Sequence, residues 1–164
     1  MKTQEQTLRQ IRRMLFAFIV LLILSGVTAF PLQWEMSLAN DFMLSLPSNN
    51  LLSEWYFKVS QGLNETWDKY PFIAYGTDWL AFAHIVIAVA FIGPFRDPVR
   101  NIWVIEFGMI ACLMIFPLAF IAGPIRGIPL FWQLIDCSFG VFGSILLYYI
   151  CRKIKILENS TATK

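Results

Sequence analysis

Four long apolar runs are the feature that most constrains this chain. They cover residues 14–30, 77–92, 101–122 and 130–150. The runs hold 16 to 22 residues, close to the roughly 20 that a helix needs to cross a bilayer core. The chain is 57% hydrophobic and only 15% charged, whereas soluble domains carry about 25% charged residues. The sequence therefore predicts an all-α integral membrane protein, a small bundle of four transmembrane helices that forms a single membrane domain over 1–164.

The first apolar run allows two interpretations. Residues 14–30 follow a basic start, as in a first transmembrane helix. A cleaved signal peptide also has a basic start and an apolar centre, and Val27-Thr28-Ala29 resembles a cleavage site. We favour a retained helix, because the run is longer than the apolar centre of an ordinary signal peptide. Both interpretations place residue 31 outside the membrane.

The long loop 31–76 is predicted to contain two short amphipathic helices outside the membrane, between spans one and two. Apolar side chains recur in each at steps of three and four residues, which is the helical period. The first set is Leu32, Met36, Ala39, Met43 and Leu46, and the second is Leu52, Trp55, Val59, Leu63 and Trp67. Ser48 or Asn49 is the expected N-cap of the second helix, and Pro71 should end it. Such helices lie on the membrane surface or, alternatively, gate a pocket below.

Turn-forming residues predict where the later spans begin and end. Thr77 or Asp78 should cap the second span. That span is short, so either residues 70–75 extend it with a break at Gly76 or it stops below the surface. Gly93-Pro94 and Gly123-Pro124 should end the second and third spans, since glycine accepts the left-handed conformation and proline cannot continue a helix. Pro117 should kink the third span.

Basic residues predict the orientation. Ten of the 13 fall on one side of the four runs, in the N-terminal segment, the 96–100 loop and the tail 151–164. The positive-inside rule then places both termini in the cytoplasm. We expect the protein to lie in a bacterial inner (plasma) membrane.

Polar groups within the spans are the candidate functional residues, because a charge inside a membrane is costly. At about 1.5 Å per residue, His84 and Asp136 should lie at similar depth in the outer half. Gln133 is expected nearby, with Arg126 and Asp78 at the rim. Together they would form an outward-facing pocket that carries a proton or binds a ligand. Alternatively, Asp136 pairs with Arg126 and His84 only hydrogen-bonds between helices.

Glu106 lies near the cytoplasmic end of the third span. The simpler expectation is an ion pair with Arg96, Arg100 or Arg152 at the interface. The alternative makes Glu106 the inner end of a proton path that begins at His84 and Asp136.

Several chemistries have little support in the sequence. A single histidine excludes bis-histidine haem within one chain, and zinc ligands would be scattered over three helices. The three cysteines lie in or next to apolar runs without a CxxC spacing, so a disulfide framework is not expected. The net charge of +2 and the lack of a basic cluster give no indication of nucleic acid binding. We expect no metal and no cofactor.

Three functions remain. We favour a non-enzymatic membrane protein that binds a small molecule or lipid in the pocket of His84, Asp136 and Gln133, as part of a transporter. The second is a helper or assembly subunit without a site, whose small-residue face docks a membrane protein partner or a second copy; this face comprises Ser138, Gly140, Gly143 and Ser144. The third is an enzyme on a lipid or quinone, with His84 as acid/base and Asp136 as its orienting group.

Overall fold

The computed structural model describes residues 2–47 and 50–162, and within these residues it contains helices and no strands. The helices in chain order are α1 (Lys2–Thr28), α2 (Leu32–Ser45), α3 (Leu51–Lys69), α4 (Pro71–Ala90), α5 (Ile92–Arg96), α6 (Ile102–Ile125) and α7 (Leu130–Ala162). The all-helical prediction is confirmed. The N-cap expected at Ser48 or Asn49 falls on residues outside the described ranges.

Among the described residues, four helical segments are long and apolar enough to cross a membrane. They are Gln4–Thr28, Pro71–Arg96, Ile102–Ile125 and Leu130–Asn159. Many of their large apolar side chains are open to the surroundings; Phe72, for example, is 73% exposed and Phe142 is 71% exposed. Apolar surface on this scale is characteristic of a protein whose partner is lipid or another protein.

The two amphipathic helices predicted in the long loop are present as α2 and α3. The N-cap of α3 is Asn50, whose side chain accepts a hydrogen bond from the Leu52 backbone N–H at 2.8 Å. This bond satisfies one of the N–H groups that a helix start leaves free. The Tyr56 hydroxyl donates to the Met36 carbonyl and joins the two helices.

Helix α4 begins at Pro71, six residues before the predicted start at Thr77, and it continues through Gly76 without a break. Pro71 suits the first helical position, because its ring holds a helical φ and that position needs no N–H donor. The capping role predicted for Thr77 or Asp78 is therefore wrong. Thr77 lies inside the helix, where its hydroxyl donates to the Ala74 carbonyl at 2.6 Å.

Neither Gly-Pro pair ends its helix as predicted. Gly93-Pro94 lies within α5, in the first turn, where the missing N–H of proline costs nothing. Gly123-Pro124 lies within the last turns of α6. Helix α6 also continues through Pro117, so the kink predicted there stays a prediction.

Helix α6 instead ends at Ile125, with Arg126 as its C-cap, and Gly127 in the next position turns the chain away. Gly127 has φ +69°, the left-handed conformation that glycine adopts without a Cβ clash. The Ile128 N–H donates to the Gly123 carbonyl at 2.9 Å, and the Gly127 N–H donates to the Pro124 carbonyl at 3.1 Å. This pair of bonds is the Schellman motif, which satisfies the last carbonyls of a helix.

The chain divides into two compact units, residues 1–20 with 89–164 and residues 21–88. In the first unit, polar bonds join the start of α1 to two other helices. The Arg12 guanidinium donates to the carbonyls of Phe95 and Arg96, both at 3.2 Å, and so satisfies the C-terminal end of α5. Lys153 of α7 donates to the Gln10 side chain at 2.8 Å. The fully buried side chains of this unit include Ile11, Leu15, Phe91, Ile105, Leu147, Ile150 and Ile154.

Helices α6 and α7 approach each other through the small residues of α7. A Cβ on Gly140 would lie 2.7 Å from the Cys112 carbonyl oxygen, and a Cβ on Gly143 would lie 2.7 Å from the Cys112 Sγ. Close approach through small residues is how helices pack when lipid surrounds them. Helix α7 also extends beyond the predicted end of the last span at Ile150 and continues to Ala162 in the tail.

Candidate functional site

An open groove in the unit 21–88 brings together four aromatic rings and one carboxylate. Its volume is about 300 Å³, and it is lined by Phe30, Tyr75, Asp78, Trp79 and Phe82. We call it the aromatic groove. Ligand pockets in proteins measure about 300–1,000 Å³, so this groove can hold a small group.

The lining follows from helical spacing on α4. Tyr75, Asp78, Trp79 and Phe82 stand at steps of three and four residues, so they share one face of the helix. The Tyr75 and Trp79 rings are 6.0 Å apart at 80°, and the Trp79 and Phe82 rings are 5.8 Å apart at 90°. These edge-to-face arrangements are favoured by the charge distribution of aromatic rings. The plane of the Trp79 ring is thus nearly perpendicular to the planes of both the Tyr75 and the Phe82 rings.

The fifth lining residue, Phe30, comes from the chain just after α1. A close contact between α1 and α4 brings it there. Gly26 is buried, and a Cβ at this position would lie 2.8 Å from the Ala81 carbonyl oxygen and 3.1 Å from the His84 Cβ. Ala81 is itself fully buried. Since neither residue carries a bulky side chain, the backbones approach closely, and the end of α1 reaches the aromatic face of α4.

Asp78 is the charged group of the aromatic groove. It is half-buried, and within the described residues its carboxylate has neither a hydrogen bond nor an ion pair. Lysine, arginine and histidine do not line the groove. The negative charge of Asp78 is therefore surrounded by aromatic rings and by the opening of the groove. Asp78 was a sequence-predicted candidate, and the structure places it at this site.

His84 lies further along α4 and does not line the aromatic groove. Its ring Nδ1 is 2.8 Å from the Leu80 carbonyl oxygen, four residues earlier in the same helix. A carbonyl oxygen only accepts, so Nδ1 carries the proton, and Nε2 is the acceptor in the neutral ring. His84 is half-buried beside Gly26, and its observed bond is within its own helix.

Gln133 supports a turn between helices. It is 5% exposed, and its side-chain Nε2 donates to the Ile128 carbonyl at 2.7 Å. A Cβ on Gly123 would lie 2.7 Å from the Gln133 amide carbon, so the side chain lies directly against the end of α6. Arg126, the C-cap of α6, is exposed.

The remaining candidates are Asp136 and Glu106. Asp136 is half-buried on α7, and Glu106 is exposed on α6. The ion pairs expected with Arg126 and with the interfacial arginines do not form in the described part of the chain, where the one ion pair joins Glu5 to Arg9 at 3.8 Å. His84 and Asp136 belong to different units, and the His–Asp pair stays a prediction.

Among residues 2–47 and 50–162, no three of the histidine, cysteine and acidic side chains lie together as a metal site would require. Cys112, Cys137 and Cys151 are free thiols. The groove on α4 thus offers aromatic rings and a carboxylate rather than ligands for a transition metal.

The aromatic members of this site were not among the candidate residues predicted from the sequence. No binding role was predicted for Phe30, Tyr75, Trp79 or Phe82. The missed signal was the helical spacing of Tyr75, Asp78, Trp79 and Phe82. It was hidden because the helix was predicted either to begin at Thr77 or to break at Gly76, and both predictions separate Tyr75 from the face of Trp79. Phe30 gave no signal in the sequence, because it reaches the groove through tertiary packing.

Comparison of the chain with known protein families, with curated proteins and with solved structures finds no match.

Proposed function

We propose that this chain is a multi-pass membrane protein without enzymatic activity, which binds a small molecule or a lipid in the aromatic groove. Both termini lie in the cytoplasm of a bacterial cell, the four apolar helices cross the inner membrane, and the groove opens toward the outer surface. The proposed binding site therefore differs from the pocket of His84, Asp136 and Gln133 that the sequence predicted. Asp78, which was expected at the rim of that pocket, belongs to the aromatic groove.

The observation that carries the proposal is the lining of the groove itself. Most binding sites combine apolar and aromatic walls with a few polar groups that orient the ligand. The aromatic groove has this composition, with four rings as the wall and Asp78 as the orienting group. The rings are partly open, between 41% exposed for Phe30 and 61% for Tyr75, so a ligand has access.

The alternative function, an assembly subunit without a site of its own, is less well supported because of how α7 packs. Its docking surface was the small-residue face of α7. Gly140 and Gly143 of this face already lie against Cys112 of α6 in the same chain. These two positions are thus occupied within the protein and are not free to receive a partner.

The orientation is tested by labelling single cysteines. In a variant whose three native cysteines are replaced by alanine, Gln61→Cys on α3 and Asp97→Cys after α5 each introduce one exposed thiol. An impermeant maleimide added to intact cells should label Gln61→Cys and leave Asp97→Cys unlabelled until the membrane is broken. The opposite pattern would contradict the proposed topology.

Binding is tested by native mass spectrometry on protein reconstituted in nanodiscs of total polar lipid from the expression host. We expect the wild type to retain a bound lipid or small molecule. Trp79→Ala should lose it, whereas Trp34→Ala should keep it, because Trp34 is an equally exposed tryptophan on α2 outside the groove. Equal retention by the three proteins, or none by the wild type, would contradict the proposal.

A further inference from the structure

We propose that the aromatic groove selects an organic cation of the quaternary ammonium class and that Asp78 supplies its counter-charge. This inference rests on the proposed function, since it names the chemical class of the ligand for the same site.

The ring geometry is the first argument. An aromatic face carries negative charge density and attracts a cation within about 6 Å of its centre, most strongly for tryptophan. In the groove, Trp79 stands between Tyr75 and Phe82 at centroid distances of 6.0 and 5.8 Å, nearly perpendicular to both. Rings at right angles form adjoining walls. A compact cation between them can meet more than one ring, as in the aromatic cages that hold methylated ammonium groups.

The charge of the lining is the second argument. Asp78 is the one carboxylic acid among the five lining residues, and the described chain offers its carboxylate no cationic partner. The half-buried carboxylate attracts an opposite charge that enters the groove, and this attraction is stronger than in bulk water because the effective dielectric constant is lower there. An anion would meet the negative carboxylate and the negative ring faces, so the lining discriminates against it.

The scarcity of hydrogen-bond acceptors is the third argument. A primary ammonium group brings three N–H donors that need partners once water is removed. The walls are aromatic rings, and Asp78 is the main acceptor. A quaternary ammonium has no N–H donor, and its methyl groups are satisfied by contact with rings. The groove therefore favours the methylated cation over a lysine-like amine.

Two sources can supply this chemistry. One is the headgroup of a choline lipid in the surrounding membrane, and the other is a free cation such as choline. The lining recognises the ammonium group that both share, so the experiment has to separate them.

The experiment measures choline binding by calorimetry to the full chain in nanodiscs made of phosphatidylglycerol, which contain no ammonium lipid. The matched probe is 3,3-dimethylbutanol, the uncharged isostere of choline. We expect choline to bind about tenfold more tightly than the isostere, which is the order of a cation–π and charge contribution. Asp78→Asn should lose about tenfold in choline affinity, whereas Asp68→Asn, an exposed acid on α3, should lose none.

A second set of nanodiscs contains phosphatidylcholine. If the lipid headgroup is a ligand, it should compete and weaken choline binding in the wild type, but not change it further in Asp78→Asn. If free choline is the ligand, its affinity should be the same in both lipids. Each result supports the cation proposal and identifies the source.

Failure of this inference is distinguishable from failure of the proposed function. If the wild type retains a ligand that depends on Trp79 but binds choline and its isostere equally, the groove is a binding site without cation selectivity, and the inference is overturned. If the wild type retains no ligand and binds neither probe, both proposals fall. The comparison of the two probes uses the wild type, so it holds even if Asp78→Asn fails to fold.

Discussion

Gly26 of α1 approaches Ala81 of α4 so closely that a Cβ on Gly26 would lie 2.8 Å from the Ala81 carbonyl oxygen. The obstacle is backbone, which cannot rotate away as a side chain can. This contact sets how the end of α1 lies beside α4, and it thereby places Phe30 at the aromatic groove.

Gly26→Ala should therefore destabilise the protein by about 1–3 kcal/mol, the usual cost of overpacking a tight contact. It should also weaken ligand retention, because the two helices must separate. Stability can be measured by loss of helical circular dichroism during SDS titration of detergent-solubilised protein. The matched control is Gly76→Ala on α4, where a Cβ would meet nothing within 4 Å. Equal losses in the two variants would contradict the contact.

The two glycines of α7 that face α6 should respond differently to alanine. The obstacle at Gly140 is the Cys112 carbonyl oxygen, whereas the obstacle at Gly143 is the Cys112 Sγ, which can change rotamer. We expect Gly140→Ala to cost about 1–3 kcal/mol and Gly143→Ala to cost clearly less. SDS titration compares the two directly. A larger loss for Gly143→Ala would show that this packing is wrong.

The end of α6 should depend on Gly127. With φ at +69°, alanine here carries the left-handed penalty of about 1–2 kcal/mol. Gly127→Ala should lower stability by that amount, and Gly127→Asn should lower it less, because asparagine tolerates this conformation better. The same titration measures both variants. Equal losses of stability in the two variants would contradict a left-handed conformation at Gly127 and thus the Schellman turn after α6.

The start of α3 should depend on the side chain of Asn50. Its oxygen accepts the Leu52 N–H at 2.8 Å, and replacing a capping side chain by alanine costs about 1 kcal/mol. Asn50→Ala should therefore lower the thermal stability in detergent, whereas Asn50→Asp should preserve it because a carboxylate oxygen accepts the same bond. Gln61→Ala, at an exposed position within α3, serves as the control for general effects of substitution.

The sequence predicted the site only in part, and the reason lies in where α4 begins. Asp78 was recognised as a candidate because a charge near a span is conspicuous. Tyr75 was not, because a helix that starts at Thr77 or breaks at Gly76 does not place it on one face with Trp79 and Phe82. Gln133 was assigned to a pocket by depth alone, and the structure shows its amide bonded to the Ile128 carbonyl.

What the sequence by itself determined is the class of the fold: four helices long and apolar enough to cross a membrane, and the amphipathic helices α2 and α3. Hydrophobic length and period are local properties that each segment carries alone. Only the tertiary structure decided three other features. Gly26 lies directly against the backbone of α4, Gly127 rather than Gly123 takes the left-handed conformation after α6, and Phe30 lines the groove with three aromatic residues of α4. These outcomes depend on which backbones approach each other, and that is set by packing between segments distant in the chain.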